Sequence, residues 1–157
     1  MTDRVLAGRL LAIHKKRGEI KMGMLTLAKV KTLLDHATEK ISRDYGRPAC
    51  IAICDENAFL LGFHRMDGGP IRSIQISQCK AHTAIRMGVS TDVFLERRRR
   101  DNVDIRYFCD PLLTALPGGC LLKDKSGRIV GAAGMSGLAP SEDQAITNDL
   151  AALVATW

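Results

Sequence analysis

The sequence predicts a single α+β domain in which an antiparallel β-sheet packs against α-helices. Two pairs of short apolar runs, each joined by a polar turn, predict two β-hairpins, at residues 49–65 and 120–135. Apolar residues recur at helical spacing in three other stretches, at about 26–45, 70–87 and 141–154. The chain of 157 residues has the usual size of one domain and is long enough to bury a core.

The net charge of +6 is concentrated in the first part of the chain. Residues 1–23 contain six basic and two acidic side chains, which leaves a charge of +2 for the remaining residues. Aromatic residues make up only 4% of the chain, too few for a surface on which bases stack. We therefore expect no nucleic-acid partner, and a core made of Leu, Ile, Val and Ala.

Five cysteines show no C-x-x-C spacing. An odd number of cysteines without a signal peptide favours reduced thiols and a cytoplasmic location. Cys50 and Cys54 lie in an apolar run, which predicts small buried side chains rather than metal ligands. No apolar run approaches the roughly 18 residues of a membrane span, so we expect no membrane association.

Residues 1–23 form a basic extension ahead of the domain expected at residues 24–157. Val5, Leu6 and Leu10 fit an amphipathic basic helix, but three basic residues and Gly18 interrupt it. We expect a disordered extension or a start-site artefact, with translation beginning at Met22 or Met24. Mass spectrometry of the native N-terminus would decide between them.

Local signals predict where the helices begin and end. Thr26 predicts the N-cap of the first helix, and Gly46 its end. Pro70 predicts the first turn of the second helix. Ser141, with Gln144 three residues later, predicts a capping box for the last helix.

A further helix is predicted from Ser90 or Thr91, and it contains the basic run Arg97–Arg100. Consecutive residues face all sides of a helix, so this run does not make one anion-binding patch. We expect a solvated helix or one with salt bridges between subunits.

Polar and titratable residues gather between residues 63 and 84, where the pattern changes from strand to helix. We expect the ligand pocket here. His64 and Arg65 are neighbours in a strand and point to opposite faces, so we expect only one of them in a given pocket. Lys80 continues a helical row with Ser73 and Ser77, which favours a lysine that reaches solvent from the edge of the core.

No P-loop, dinucleotide fingerprint, H-E-x-x-H or G-x-S-x-G motif is present. Four other motifs occur in order: Arg65–Gly68, Lys80–Ala84, Leu116–Gly119 and Val130–Gly137. In sequence and spacing they resemble the GlcG/HbpS-like haem-degrading domain family, which also supplies the C-terminal domain of PduO-type proteins. The resemblance covers about residues 25–156.

This resemblance implies an antiparallel sheet packed with helices, commonly assembled into homo-oligomers. It also implies binding of haem or a corrinoid-related ligand in some members, with haem degradation as an activity. The positions that carry over are Arg65, Asp67, Lys80, Thr83, Gly118, Gly119, Gly131, Gly134, Ser136 and Gly137. The glycines are also explained by tight turns and close backbone approach.

The leading hypothesis is a haem- or tetrapyrrole-binding protein, with haem degradation as a further activity. His64 or His82, which adjoin the family pattern, would ligate the iron, because a neutral imidazole is a good axial ligand. If Arg65 lines the pocket, His82 or no histidine at all is the preferred choice. Arg65 and Lys80 would neutralise propionates. The other ligand contacts implied by the resemblance are Thr83, Gly118, Gly119 and Ser136.

Two alternatives remain open at this stage. The first is that the protein acts on a small carboxylate or hydroxy acid, as in glycolate or diol catabolism. Lys80 or Asp67 would then transfer a proton, and Arg65 would bind the carboxylate. The second is that it is a non-catalytic interaction domain with Arg97–Arg100 at an interface.

Overall fold

The computed structural model describes residues 24–157. The expectations for residues 1–23 fall outside this part of the chain. The described elements are, in chain order, α1 (Leu27–Asp44), β1 (Cys50–Cys54), β2 (Leu60–Arg65), α2 (Ile71–Met87), α3 (Thr91–Asp101), a 3-10 turn (Ile105–Phe108), β3 (Gly119–Lys123), β4 (Ile129–Ser136) and α4 (Pro140–Val154).

The four strands form one antiparallel sheet in the order β2-β1-β4-β3. Both predicted hairpins are confirmed, since β1 pairs with β2 and β3 with β4. The pairing of β1 with β4 joins the hairpins at the centre of the sheet, with Ala52 opposite Gly134. The predicted fold class is thus confirmed.

Helices cover both faces of the sheet, which gives three layers. The larger apolar cluster lies between the sheet and the pair α1 and α4, where Ile51 and Ile53 meet Leu33 and Ile146. A smaller cluster lies under α2, where Ala81 and Ala84 pack on Ala132. Strand alternation sends successive side chains of β1 to opposite faces, so Cys54 belongs to the α2 side. Cys50 and Cys54 are both buried, as predicted.

Gly134 explains how α2 lies so close to the sheet. A Cβ atom at this position would collide with the carbonyl oxygen of Ser77 and the backbone nitrogen of Ala81, both in α2. The expectation that a glycine in this strand admits a close neighbour is confirmed, and that neighbour is the helix carrying Lys80 and His82.

Helix boundaries confirm some local signals and correct others. Thr26 Oγ1 accepts a hydrogen bond from Lys29 N at 3.3 Å, and Gly46 has the expected positive φ of 60°. Pro70 is the residue before α2 rather than its first turn.

The predicted capping box of Ser141 and Gln144 is wrong. The fixed φ of Pro140 suits a first helical turn, so α4 begins one residue earlier than Ser141. The carboxylate of Glu142 accepts the hydrogen bond from Ala139 N at 2.8 Å. The side chain of Gln144 is therefore released from the capping position, and it is buried.

The basic run on α3 is spread around the helix, as expected. Arg97, Arg99 and Arg100 are exposed, and Arg100 Nε lies 2.7 Å from Asp101 Oδ1. Arg98 is partly buried and donates to the carbonyl oxygen of Val103 at 3.0 Å. None of the described helices is long and apolar enough to cross a membrane.

Candidate functional site

The residues predicted to share one pocket are divided among three places. His64, Arg65 and Asp67 surround an open depression at the end of β2. His82 faces a separate cleft beside α2. Lys80 lies inside the protein, between α2 and α4. Each place is described in turn.

The His82 cleft, as we name it, lies between α2 and the β1–β2 hairpin and has a volume of about 180 Å³. Most of the described lining residues are apolar or carry a thiol, and His82 is the one histidine among them. Phe59, which is 71% exposed, and Leu60 extend the apolar surface at its mouth. Among residues 24–157, the lining residues are Ala52, Cys54, Ala58, Phe59, Leu60, Gln75, Gln78, Cys79, Ala81, His82 and Leu112.

His82 is held by a carboxylate. Its Nε2 atom lies 2.8 Å from Asp110 Oδ2, and Arg86 Nε lies 3.4 Å from the same oxygen. The hydrogen bond from His82 lowers the pKa of Asp110, so Asp110 is ionised at neutral pH and can only accept. His82 Nε2 therefore carries the proton of this bond.

Arg86 and Asp110 were missed by sequence reasoning. Helical spacing could have predicted Arg86, because a residue four positions after His82 lies on the same helix face. Nothing in the sequence could have predicted Asp110, because it belongs to an irregular segment whose path is set only by tertiary contacts.

His64 is held through its other ring nitrogen, Nδ1. The hydroxyl of Thr38 donates to the carbonyl oxygen of Leu34 at 2.8 Å, so its oxygen is left to accept from His64 Nδ1 at 3.2 Å. A neutral His64 then carries its proton on Nδ1 and has a lone pair on Nε2. The contact with Thr38 shows that His64 faces α1.

The depression beside His64 is about 420 Å³ and is lined by Thr38, His64, Arg65, Met66 and Asp67. Our expectation that His64 and Arg65 would not border one pocket is wrong here, because the strand ends and both side chains reach the same open rim. Arg65 Nε donates to the carbonyl oxygen of Gly69 at 3.0 Å, which stabilises the turn before α2. Asp67 is exposed in that turn.

Lys80 is buried, with 2% of its surface exposed. Its Nζ donates to Asp143 Oδ2 and to the carbonyl oxygen of Met135, both at 2.7 Å. The prediction that it extends to solvent is wrong, because a carboxylate of α4 satisfies it internally. Burial lowers the pKa of Lys80 and raises that of Asp143, while the charge of each partner opposes these shifts.

Four further carried-over residues, Thr83, Gly118, Gly119 and Ser136, form hydrogen bonds within the protein. Gly118 N donates to Gln144 Oε1 at 2.6 Å, and Gly119 N donates to Thr91 Oγ1 at 2.8 Å. Thr83 Oγ1 donates to Cys79 O at 2.7 Å and accepts from Thr114 N at 2.9 Å. Ser136 Oγ lies 3.2 Å from Ser73 Oγ.

The described residues contain no group of three or more His, Cys, Asp or Glu side chains placed to hold a metal ion. An iron atom at His82 or His64 would thus need a ligand that supplies most of its coordination. A tetrapyrrole does so, because its four nitrogens leave only axial positions for the protein.

The chain folds as a small three-layer α+β domain with a cleft between its sheet and α2. The chain belongs to the HbpS-like family, since the model of the family described as "haem degrading protein HbpS-like" matches residues 25–152. The family resemblance found in the motifs is confirmed.

Solved structures support this fold. A double mutant of HbpS from Streptomyces reticuli is 26% identical with a TM-score of 0.75, and the match covers 88% of this chain and 93% of that one. A PduOC–haem complex is 21% identical with a TM-score of 0.73, over 82% of this chain and 94% of that one. The Klebsiella pneumoniae protein ORFY is 19% identical with a TM-score of 0.76, over 89% and 97%. A search of curated proteins found no significant match.

Proposed function

We propose that this protein binds haem, or a related tetrapyrrole, in the His82 cleft with His82 as an axial ligand of the iron. The observation that carries the proposal is the imidazole of His82, the one histidine among the described residues of a largely apolar cleft. Haem sites combine these features, because the macrocycle is apolar and the iron takes a nitrogen ligand. Family membership and the haem complex of PduOC support the same ligand class.

We propose Arg86 as the cation that meets a propionate. Arg86 is exposed, and it lies beside His82 through their shared partner Asp110. Lys80 is less suited, since its ammonium group is already bonded to Asp143 and Met135. Arg65 lies at the opposite end of β2 from Leu60, about 17 Å along the strand at the usual rise per residue.

Hemin titration tests the proposal through the Soret band. We expect the wild-type protein to shift the band, and His82→Ala to lose the shift and bind at least about tenfold more weakly. His64→Ala should bind like wild type, and His36→Ala serves as a matched control because His36 borders neither the cleft nor the depression. Absence of a Soret shift in wild type would contradict the proposal, and loss in His64→Ala alone would move the site to the depression.

We further propose that the protein degrades the haem that it binds. A bound haem would supply its iron for reaction with oxygen, while the cleft would hold the macrocycle in one orientation. Incubating the hemin complex in air with ascorbate as electron donor tests this part. We expect the Soret band to decay faster than for free hemin, and His82→Ala to remove the difference. A stable band would restrict the function to binding.

The small-acid alternative has no comparable support. It requires Lys80 or Asp67 to act on a ligand held by Arg65. Lys80 is enclosed with Asp143, whereas Asp67 is exposed in a turn and Arg65 is bonded to that turn. We therefore do not propose this alternative.

A further inference from the structure

A second pocket lies on the side of the sheet that α1 and α4 cover. The Trp157 pocket, as we name it, is bounded by the start of α1, the β3–β4 turn and the residues that follow α4. Its volume is about 450 Å³, which falls within the range of roughly 300 to 1,000 Å³ that is usual for small-molecule sites. None of the described residues that line it borders the His82 cleft or the depression beside His64. The pocket is therefore separate from the sites considered above.

The floor of the Trp157 pocket is apolar and belongs to the core. Leu25, Val130 and Val154 line it and are at most 7% exposed. They are members of the larger apolar cluster, and the half-buried indole of Trp157 packs against that cluster as one wall of the pocket. A hydrocarbon group bound on this floor would extend the core and leave water, which favours binding.

The rim of the pocket carries an excess of positive charge. Asp124 Oδ2 lies 3.2 Å from Arg128 Nη2, so the charges of these two residues offset each other. Lys29 and Lys125 also border the pocket, and neither forms an ion pair with any residue between 24 and 157. The backbone oxygen of Trp157 accepts a hydrogen bond from Lys125 N at 3.2 Å, so it is directed at the β3–β4 turn. Two ammonium groups thus remain for an anion.

Lys29 is placed where a carboxylate above the apolar floor would meet it. Its Nζ lies over the indole of Trp157, 5.0 Å from the ring centroid. A cation–π contact of a partly exposed lysine is weak and leaves ammonium hydrogens able to donate. A carboxylate would accept from them in a charge-assisted hydrogen bond, which is stronger than a bond between neutral groups.

We propose that the Trp157 pocket binds a small monocarboxylic acid with an apolar chain, whose carboxylate meets Lys29 and Lys125 while the chain lies on the floor. The ligand class follows from the charge of the rim and the apolar character of the floor. The inference does not rest on the proposed function. It concerns binding alone, at residues other than those of the small-acid alternative considered above.

Residues 1–23 are a poor alternative occupant on grounds of charge. They contain six basic and two acidic side chains, so they would bring like charge to Lys29 and Lys125. A carboxylate instead offsets the positive charge of the rim.

Fluorescence of Trp157 gives a direct test, because it is the one tryptophan of the chain. We expect octanoate, titrated into the full chain below its micelle concentration, to change the emission saturably. The neutral 1-octanol should bind at least about tenfold more weakly, because it lacks the charge-assisted bonds. Calorimetry on the same samples measures binding independently of the indole.

A pair of double variants tests the two cations. Lys29→Gln with Lys125→Gln should weaken octanoate binding at least about tenfold and leave 1-octanol binding unchanged. Lys31→Gln with Lys123→Gln is the matched control. It removes the same charge from α1 and from the end of β3, at exposed side chains that do not line the pocket.

The outcomes separate this site from the haem proposal. A saturable response that only the first double variant weakens supports the carboxylate site. Equal binding of octanoate and 1-octanol, or equal weakening by the control, overturns it. Absence of binding, or heat of binding without a change in Trp157 emission, also overturns it. His82→Ala should bind octanoate like wild type, so a failure of hemin binding would leave this result standing.

Discussion

Lys80 and Asp143 form an ion pair that joins the two helical layers across the end of the sheet. Lys80 belongs to α2 and Asp143 to α4, and each residue is 2% exposed. Asp143 also accepts a hydrogen bond from Leu138 N at 3.1 Å through its second oxygen. Because both charges are buried and paired, each side chain offsets the cost of burying the charge of the other.

Removing one charge of this pair should be far more damaging than removing both. Lys80→Met leaves the carboxylate of Asp143 buried without a counter-ion, and we expect the free energy of unfolding to fall by about 3 to 5 kcal/mol. The double variant Lys80→Met/Asp143→Leu should recover much of this loss. Urea denaturation measures the free energy of unfolding of the wild type and of both variants. Lys31→Met, on the exposed side of α1, is the control. Equal losses in the single and double variants would contradict the interpretation.

Gly134→Ala should disrupt the packing of α2 on the sheet. The added Cβ would collide with backbone atoms of Ser77 and Ala81, which cannot move without displacing the helix. We expect a loss of about 3 kcal/mol or more, at or above the upper end of typical overpacking costs, seen as a lower midpoint in thermal denaturation. Gly127→Ala, in an open turn, is the control and should cost only the strain of its positive φ. A Gly134→Ala protein as stable as Gly127→Ala would contradict the close contact between α2 and β4 at Gly134.

The cysteines should differ sharply in reactivity with pH. Burial raises the pKa of Cys54 to about 12 and that of Cys120 to about 11. At pH 8 this leaves about one Cys54 thiol in ten thousand and one Cys120 thiol in a thousand as the reactive thiolate.

We therefore expect a thiol reagent to label the exposed Cys109 first at pH 8, with mass spectrometry locating the adduct. Labelling of Cys120 and Cys54 should rise as the pH is raised towards 11 and 12, since each raised pKa delays ionisation in the folded protein. Unfolding in urea at pH 8 is the control and should make all five react. Early labelling of Cys54 at pH 8 would contradict its burial.

We propose that the chain forms a homo-oligomer through exposed apolar side chains rather than through the basic run of α3. Phe59 and Ile71 are 71% and 77% exposed. Light scattering after gel filtration should give a multiple of the chain mass, reduced by Phe59→Ser with Ile71→Ser. Arg97→Gln with Arg99→Gln is the matched control and should leave the mass unchanged. A monomeric wild type, or dissociation only in the arginine variant, would contradict this proposal.

The fold could be predicted from sequence because its signals are local. Strand alternation around polar turns indicated both hairpins, and helical spacing indicated the helices. Thr26 and Gly46 marked two boundaries through bonds to residues within five positions. The capping box failed because the two candidate N-caps, Ala139 and Ser141, lie two residues apart, and Pro140 favours the earlier one.

The site could be predicted only in part, for the opposite reason. His82 was singled out from its position near a family motif, but its partner Asp110 is 28 residues away in a segment without regular structure. Lys80 was placed at the edge of the core because helical spacing shows no partner 63 residues later in the chain. Long-range pairing of charges is set by packing of the layers, which periodicity does not encode.

The close approach of α2 to the sheet at Gly134 limits how this domain can move. Because the helix backbone lies against the strand there, α2 cannot slide or rotate without meeting repulsion from backbone atoms. The helix that carries His82 is therefore held in one position relative to the sheet. Any change of shape near the His82 cleft would have to come from side chains or from the neighbouring loops rather than from a shift of α2.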